Sequence, residues 1–305
     1  MLARAPPEEP LVGVIFPWWG GLKGELQHPV SLSTWWGTWS TGRRAGEHRL
    51  PHLLGMMMIR MKLLIVSDIH ANLEALQAVL AESHDELWVL GDLVNYGPNP
   101  GEVVELVRAH ASLVVQGNHD YAIGNESDPR CSAPFREMAR AMQEYTEPLL
   151  DADQRAFLRG LPRTAARTID GYRFLLCHAT PAEPLYRYCP AEPARWAPEI
   201  EGLQADIVLT GHTHMPFTMN LEKLRIVNPG SVGQPKHGSP MACYALWENG
   251  RLSLQSCRYP VEETVQKICA LPVPMEIRRQ LAAVLRSGFL PGATCDIVRV
   301  QEFKR

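Results

Sequence analysis

The stretch KLLIVSDIHANL, residues 62–73, couples a short apolar run to two polar side chains, Asp68 and His70. Leu63 to Val66 has the length of a strand and no polar alternation, so we predict a strand that is buried on both faces. Asn72 is placed to cap a helix, because apolar side chains follow it at helical spacing from Leu73 to Leu80. A strand, a polar turn and a helix in this order indicate an α/β sheet with crossover helices.

The same arrangement recurs four times along the chain. Apolar runs at 87–90, 113–115, 174–176 and 207–209 are each followed within a few residues by Asp, Asn or His. Ligands of open α/β sheets bind beyond the carboxyl ends of the strands, so these side chains should gather at one edge of the sheet. The expected set contains seven nitrogen and oxygen ligands: Asp68, His70, Asp92, Asn118, His178, His212 and His214.

A set of this size and chemistry predicts two divalent metal ions. Two metals ~3.5–4 Å apart need about this many ligands and one bridging carboxylate. Imidazole and carboxylate suit manganese, iron, zinc or nickel, with manganese favoured, and the lack of thiolate argues against a structural zinc site. The alternative is that each His or Asp is a structural residue or a helix cap. Five such motifs in order are hard to explain in that way, because buried charges are costly without metals to pair them.

The chain resembles the calcineurin-like metallophosphoesterase superfamily over about residues 62 to 290. The resemblance rests on five motifs in order: Asp68-x-His70, Gly91-Asp92, Gly117-Asn118-His119-Asp120, His178 and Gly211-His212-x-His214. The stretches SDIHANL (67–73), GDLVNYGP (91–98) and NPGSVGQP (228–235) look like its small bacterial phosphodiesterase branch. The resemblance implies an α/β fold, namely a two-sheet αββα sandwich flanked by helices.

The resemblance also implies roles for the site residues. Asp68, His70, Asp92 and His214 would hold the first metal; Asp92 would bridge, and Asn118, His178 and His212 would complete the second. A hydroxide held between the metals would attack phosphorus in one in-line displacement. His119 would not be a ligand; it would donate a proton to the leaving group and be oriented by Asp120.

One departure from the superfamily concerns an arginine. Phosphoprotein phosphatases of the superfamily carry it shortly after the Gly-Asp motif, where this chain has Leu93-Val94-Asn95-Tyr96. The grip on a dianionic phosphate is weaker without a guanidinium, which argues against a protein phosphatase and weakens the likeness to symmetrical diadenosine tetraphosphatases. We therefore expect a small phosphodiester or a nucleotide as substrate. A phosphomonoesterase, a non-catalytic scaffold on the same fold and a nuclease for long DNA are the alternatives.

The composition limits which classes of partner and which cellular compartment we expect. The formal net charge is −3, from 30 basic and 33 acidic side chains, and no basic block suggests a nucleic-acid partner. No apolar run approaches the ~20 residues of a membrane-spanning helix. The seven cysteines are odd in number and lack CxxC spacing, which favours a reducing, cytoplasmic compartment over a disulfide framework. A homo-oligomer is compatible with the sequence.

The chain divides into three parts by pattern. Residues 1–60 hold five of the eight tryptophans without a helical or strand period, so we expect a disordered extension or a start codon placed too far upstream. The alternative is a Trp-rich interaction arm. Residues 61–260 should form the phosphoesterase domain, with a helical cap insertion at 121–165, and residues 261–305 a helical C-terminal segment.

Three further residues have side chains that could take part in chemistry or binding. Cys177 neighbours His178 on a strand, so its side chain should point to the opposite face as a buried thiol. His237 lies in a Gly-rich loop and could contact phosphate, although a bystander is the commoner case. Tyr96 follows the bridging carboxylate and could stack on a base or simply pack.

Overall fold

The computed structural model describes residues 61–289 of the 305-residue chain. The expectations for residues 1–60 and for the last residues of the C-terminal segment therefore lie outside the described residues. Short 3₁₀ turns occur at Ala133–Phe135, Glu147–Leu149 and Ala197–Glu199. The described residues form these strands and α-helices: β1 (Lys62–Val66), α1 (Leu73–Leu80), β2 (Glu86–Val89), α2 (Pro100–His110), β3 (Leu113–Val114), α3 (Asn118–Gly124), α4 (Arg136–Thr146), α5 (Ala152–Gly160), β4 (Thr164–Ile169), β5 (Tyr172–Cys177), α6 (Pro193–Trp196), β6 (Ile207–Leu209), β7 (Phe217–Leu221), β8 (Leu224–Asn228), β9 (Ala242–Glu248), β10 (Arg251–Cys257), α7 (Val261–Cys269) and α8 (Met275–Ser287).

Two five-stranded mixed sheets are formed. The first has the order β10-β9-β1-β2-β3, with β1, β2 and β3 parallel and β9 antiparallel to β1. The second has the order β4-β5-β6-β8-β7, with β5, β6 and β8 parallel and an antiparallel strand at each edge. The parallel strands carry their carboxyl ends to the same side within each sheet, which is where the predicted ligands follow.

The inner faces of the two sheets pack against each other. Trp88 of β2 meets Phe174 of β5 edge to face, with ring centroids 5.5 Å apart, and Phe174 meets Trp247 of β9 at 5.1 Å. All three rings are almost wholly buried, and aromatic burial of this kind is a large apolar contribution to stability.

Helices cover the outer faces. Leu76 of α1 and Val103 of α2 pack on Leu64 and Leu87 of the first sheet, and Trp196 of α6 packs on Ile226 of the second. The αββα architecture expected from the resemblance is thereby confirmed. No helix among residues 61–289 is long and apolar enough to span a membrane.

Two strands of the second sheet, β4 and β7, were not predicted from the sequence. The segment 121–165, which was expected to form the insertion, begins inside α3 and ends inside β4, which starts at Thr164. β4 is an exposed edge strand with little apolar content, so it has no burial pattern to detect. β7 does alternate, with Phe217, Met219 and Leu221 half-buried and the residues between them exposed. That period-2 signal was present in the sequence.

Candidate metal centre

All seven predicted ligands converge on one site, although not at the edge of a single sheet. The first sheet contributes four of them and the second contributes three, because the strand ends of both sheets meet there. Potential ligand atoms lie within 4.8 Å of one another in three groups: Asp68, His70 and His214; His70, Asp92 and His119; Asp92, His178 and His212. Asn118, at the start of α3, joins the last group through its Oδ1, 3.1 Å from Nε2 of His178.

The backbone at the ligands is left-handed. Asp68, His70, Asp92, His212 and His214 have φ between 47° and 64°. The turns that follow the strands thus replace extended backbone at these five residues. Non-glycine residues in this region are strained by roughly 1–3 kcal/mol each and persist only where neighbouring structure fixes them. Here the fixing contacts include main-chain bonds from His70 N to Asp92 O, 2.9 Å, and from Asp68 N to Gly91 O, 3.1 Å.

Two glycines permit close approach to the ligands rather than a sharp turn. A Cβ on Gly117 would collide with the side chain and backbone of Asp92, and one on Gly211 would collide with Ser67 and Asp68. Neither glycine has a positive φ. Their absence of a side chain lets the β3 and β6 loops lie directly against the two aspartates.

Three histidines present the same nitrogen to the centre of the site. Nδ1 of each donates to a main-chain carbonyl: His70 to Val94 at 3.1 Å, His178 to Leu90 at 2.8 Å and His214 to Gln234 at 2.6 Å. Such bonds fix the ring orientation and leave Nε2 free as a ligand atom, as is usual for metal-binding histidines.

The orphaned polar atoms of the site fit bound cations. Nε2 of His70 and Nε2 of His214 lie 3.2 Å apart, and both protons of the neutral rings are already committed at Nδ1. Asp68 Oδ1 is buried, has no hydrogen-bond partner and lies 3.4 Å from Nε2 of His214. Lone pairs that face each other in a buried site are unfavourable unless a cation lies between them. The donor set, imidazole with carboxylate and amide oxygen, suits first-row divalent metals.

Asp92 lies between the two halves of the site. Its Oδ2 is 3.7 Å from Nε2 of His70 and 3.2 Å from Nε2 of His178. Its Oδ1 accepts a hydrogen bond from the backbone N–H of His119 at 2.9 Å, which fixes the carboxylate. Asp92 thus lies near a histidine of each ligand group.

The buried residues of the site differ in the direction of their pKa shifts. Burial would raise the pKa of Asp92, but His178 and His119 hold it well below its usual value. Burial raises the pKa of Asp68 to about 6, although His178 opposes the rise. Burial lowers the pKa of His178, and Asp92 more than reverses this, to about 9. Burial and His178 lower the pKa of His212 to about 3, so this ring is neutral and ready to bind a cation.

We expected Asp120 to orient His119, but the side chain that contacts the His119 ring at Nδ1 is Asn95. Asn95 Nδ2 donates to Nδ1 of His119 at 2.8 Å, and Tyr96 N donates to Asn95 Oδ1, which fixes the amide. Nε2 of His119 therefore carries a proton, and it points to Cys131 Sγ at 3.4 Å. Burial lowers the pKa of His119, but Cys131 and Asp92 raise it above its usual value.

Asp120 anchors backbone instead. Its two carboxylate oxygens accept hydrogen bonds from the N–H groups of Asp92, Leu93 and Gly117 at 2.8–3.0 Å. Those three groups belong to the turns that follow β2 and β3. Asp120 thus sets the position of the bridging candidate Asp92, and its contact with the His119 ring was wrongly predicted.

Residues 61–250 match the family model of the calcineurin-like phosphoesterase superfamily domain. The chain belongs to this superfamily. It is therefore a metal-dependent phosphoesterase.

This phosphoesterase matches several proteins over most of their own length. Protein MJ0912 of Methanocaldococcus jannaschii is 30% identical over 71% of this chain and 96% of the relative. Phosphodiesterase YfcE of Escherichia coli is 28% identical over 64% of this chain and 91% of the relative. The crystal structure of a metallophosphoesterase from Sphaerobacter thermophilus superposes with a TM-score of 0.64 at 32% identity, covering 74% of this chain and 99% of that one.

The NPGSVGQP stretch, which we knew only by resemblance, supports the ligands of the phosphoesterase. Ser231 Oγ donates to Asp68 O at 2.7 Å, and Gln234 supplies the carbonyl that holds His214. Asn228 Nδ2 donates to Gly211 O at 2.6 Å, next to His212. The loop after β8 therefore fixes the ligand turns of both sheets.

Three residues lie near His119: Asn95 and Cys131, which were not predicted, and Tyr96, for which stacking on a base and packing were both possible. Asn95 and Cys131 contact its ring and were missed, since neither lies in a ligand motif. Tyr96 packs: its ring centroid is 4.9 Å from those of His70 and His119, and its hydroxyl is 3.3 Å from Cys131 Sγ. Its burial leaves no face for a nucleobase.

Two other predictions can be compared with the structure. Cys177 is a buried thiol whose pKa is raised by burial, as expected. His237 lies with Nε2 3.6 Å from Cys243 Sγ, so that nitrogen does not face the ligands. Lys236, directly before it, was not considered.

Proposed function

We propose that this phosphoesterase is a dinuclear, metal-dependent hydrolase of small phosphodiesters or nucleotides. The observation that carries the proposal is the position of Asp92 Oδ2 between Nε2 of His70 and Nε2 of His178. A single carboxylate oxygen shared by two ligand groups is what two adjacent cations need.

The ligand groups divide between the two ions. Asp68, His70 and His214 would hold the first, Asn118, His178 and His212 the second, and Asp92 both. Manganese is favoured among manganese, iron, zinc and nickel. When bound, the ions supply positive charge to the phosphoryl oxygens and lower the pKa of water toward ~7.

His119 acts on the leaving group in this proposal. Cys131 and Asp92 raise the ring pKa against the effect of burial, which favours the imidazolium, the form that can give up its Nε2 proton and leave a neutral ring. A proton held at Nε2 can pass to the leaving oxygen as the bond to phosphorus breaks. The main chain of His119 also holds Asp92, so the acid and the bridging carboxylate keep a fixed relation.

The segment after Gly91-Asp92 supports a preference for diesters. Leu93 and Val94 are fully buried in the core, and Asn95 and Tyr96 are committed to His119. No guanidinium is supplied there for bidentate binding of a dianion, which disfavours phosphoproteins. The E. coli relative is named a phosphodiesterase, in agreement with this preference.

The proposal is tested by comparing kcat/KM for a bis-nitrophenyl diester, a nitrophenyl monoester and a phosphoserine peptide. The chain is first stripped with chelator and reloaded with manganese, iron, zinc or nickel. We expect the highest kcat/KM on the diester and near two metal ions per chain. Preference for the phosphopeptide, or activity that is indifferent to chelator, contradicts the proposal; Asp92→Asn serves as the metal-poor control.

A further inference from the structure

Lys236 brings a cation to the ligand site from the loop after β8. It lies two residues beyond Gln234, whose carbonyl oxygen accepts from His214 Nδ1. The Lys236 side chain thus begins next to the support of His214 and ends on Phe135. Phe135 follows Cys131 by four residues, and Cys131 Sγ lies 3.4 Å from Nε2 of His119.

The ammonium of Lys236 has an aromatic neighbour but no carboxylate partner. Its Nζ lies 4.2 Å from the ring centroid of Phe135, which belongs to the turn before α4 in the cap. Among residues 61–289, no carboxylate oxygen comes within 4 Å of Nζ. The cation–π contact contributes about 0.5–2 kcal/mol and orients the side chain without neutralising it.

Bound metals make that position more costly. Two divalent cations bring four positive charges against the two carboxylates Asp68 and Asp92. Lys236 is half-buried, so its repulsion from this excess is only partly screened by solvent. The arrangement becomes favourable once an anion lies between the ammonium and the metals.

We propose that Lys236 binds a non-bridging phosphoryl oxygen of the substrate, with Phe135 holding the side chain in place. The inference rests on the proposed function. It assigns to this lysine the charge that other members of the superfamily take from an arginine after the Gly-Asp motif. A single ammonium donates to one oxygen at a time and has no bidentate fork, which suits the singly charged phosphate of a diester.

The competing interpretation is a structural one. Lys236 would then only tie the β8 loop to the cap through Phe135. The two interpretations differ in what removal of the charge does to anion binding at constant fold and metal content.

The test uses Lys236→Met, which keeps the length of the side chain, Lys236→Arg, which keeps the charge, and Lys223→Met as the matched control. Lys223 is exposed in the turn between β7 and β8, at the opposite end of β8 from the site. The readouts are metal content, thermal stability, KM and kcat for the diester, and the dissociation constant of inorganic phosphate from the metal-loaded protein, measured by calorimetry.

For Lys236→Met we expect unchanged metal content and an increase of about 10- to 100-fold in both KM and the phosphate dissociation constant, the loss expected for one charged hydrogen bond. Lys236→Arg should recover most of the affinity, and Lys223→Met should match the wild type. If Lys236→Met binds phosphate as the wild type does while the enzyme remains active, the inference is wrong and the proposed function stands. If the metal-loaded wild type binds phosphate through Lys236 but hydrolyses no ester, the inference stands and the proposed function is wrong.

Discussion

Nε2 of His70 and Nε2 of His214 face each other at 3.2 Å, each ring being held from behind by a carbonyl that accepts its Nδ1 proton. Two neutral imidazoles cannot satisfy each other in this arrangement. Substitution of a ligand should therefore act on metal content first and on rate second, whereas substitution of His119 should not.

We predict that Asp92→Asn lowers both metal content and kcat, while His119→Ala retains metal and loses about 10²–10⁴-fold in kcat. The loss for His119→Ala should be smaller on a nitrophenyl leaving group, which needs little protonation, than on an alkyl alcohol. The measurement is elemental analysis with kcat on the two diesters, and the exposed His110→Ala is the control. Loss of metal from His119→Ala would make His119 a ligand. An equal loss on both leaving groups would assign it to transition-state charge stabilisation.

Asn95→Ala should lower kcat by less than His119→Ala does, because the ring remains but its Nδ1 loses the donor that fixes it. The double variant should be no slower than His119→Ala alone, since Asn95 acts through that ring. The pair is measured as kcat on the alkyl diester at saturating substrate. Independent, multiplied losses would show that Asn95 acts on the substrate or on the fold instead.

Asp120→Ala should destabilise the protein by roughly 3 kcal/mol or more. It leaves three buried backbone N–H groups without their charged acceptor, and each such loss costs about 1–3 kcal/mol. Denaturant unfolding in chelator isolates this effect from metal content, and Glu201→Ala, an exposed carboxylate, is the control. A variant as stable as the wild type would return Asp120 to a purely catalytic role.

Glu74→Gln should lower the melting temperature by about 3 °C at neutral pH. Glu74 on α1 accepts from Thr264 at 2.8 Å and from Lys267, which ties α7 to the domain. Burial would raise the pKa of Glu74, but these bonds lower it, so the carboxylate stabilises the fold above the pKa of the unfolded chain. We use about 1 kcal/mol, because Lys267 is 42% exposed and the pair is partly screened.

That contribution should be complete at neutral pH and should disappear as the pH falls from about 4.5 through the lowered pKa of Glu74. Melting curves of wild type and Glu74→Gln should therefore converge in acid. Glu144→Gln, from the exposed pair with Arg140, should show no such difference. A gap that is independent of pH would show that the charge of Glu74 is not the cause.

The meeting of the seven candidate ligands at one place was predictable from the sequence, because each one follows a strand and strand ends are positioned by the sheets. β1 and β6 are buried apolar strands, so the position of each strand in its sheet also determines where the polar residues after it lie. The backbone conformation of the turns was not predictable, since left-handed φ at Asp68 or His212 depends on hydrogen bonds to distant loops.

Contacts between loops that are distant in sequence account for the remaining errors. The resemblance implied that Asp120 orients His119, but the helix that begins at Asn118 turns the two side chains apart. Asn95 and Lys236 reach the site from loops with no repeated motif. Only the packing of the cap and of the β8 loop brings them there.

The division of the ligands between the two sheets has a consequence for the making of the protein. His70 and His214 are 144 positions apart, so a growing chain has neither proposed metal set complete until β6 and the turn after it have been synthesised. Neither proposed ion can therefore be held by its full set of residues before the second sheet has docked on the first. Folding of the enzyme should thus come before metal loading, and a chain made without metal should take up both ions afterwards.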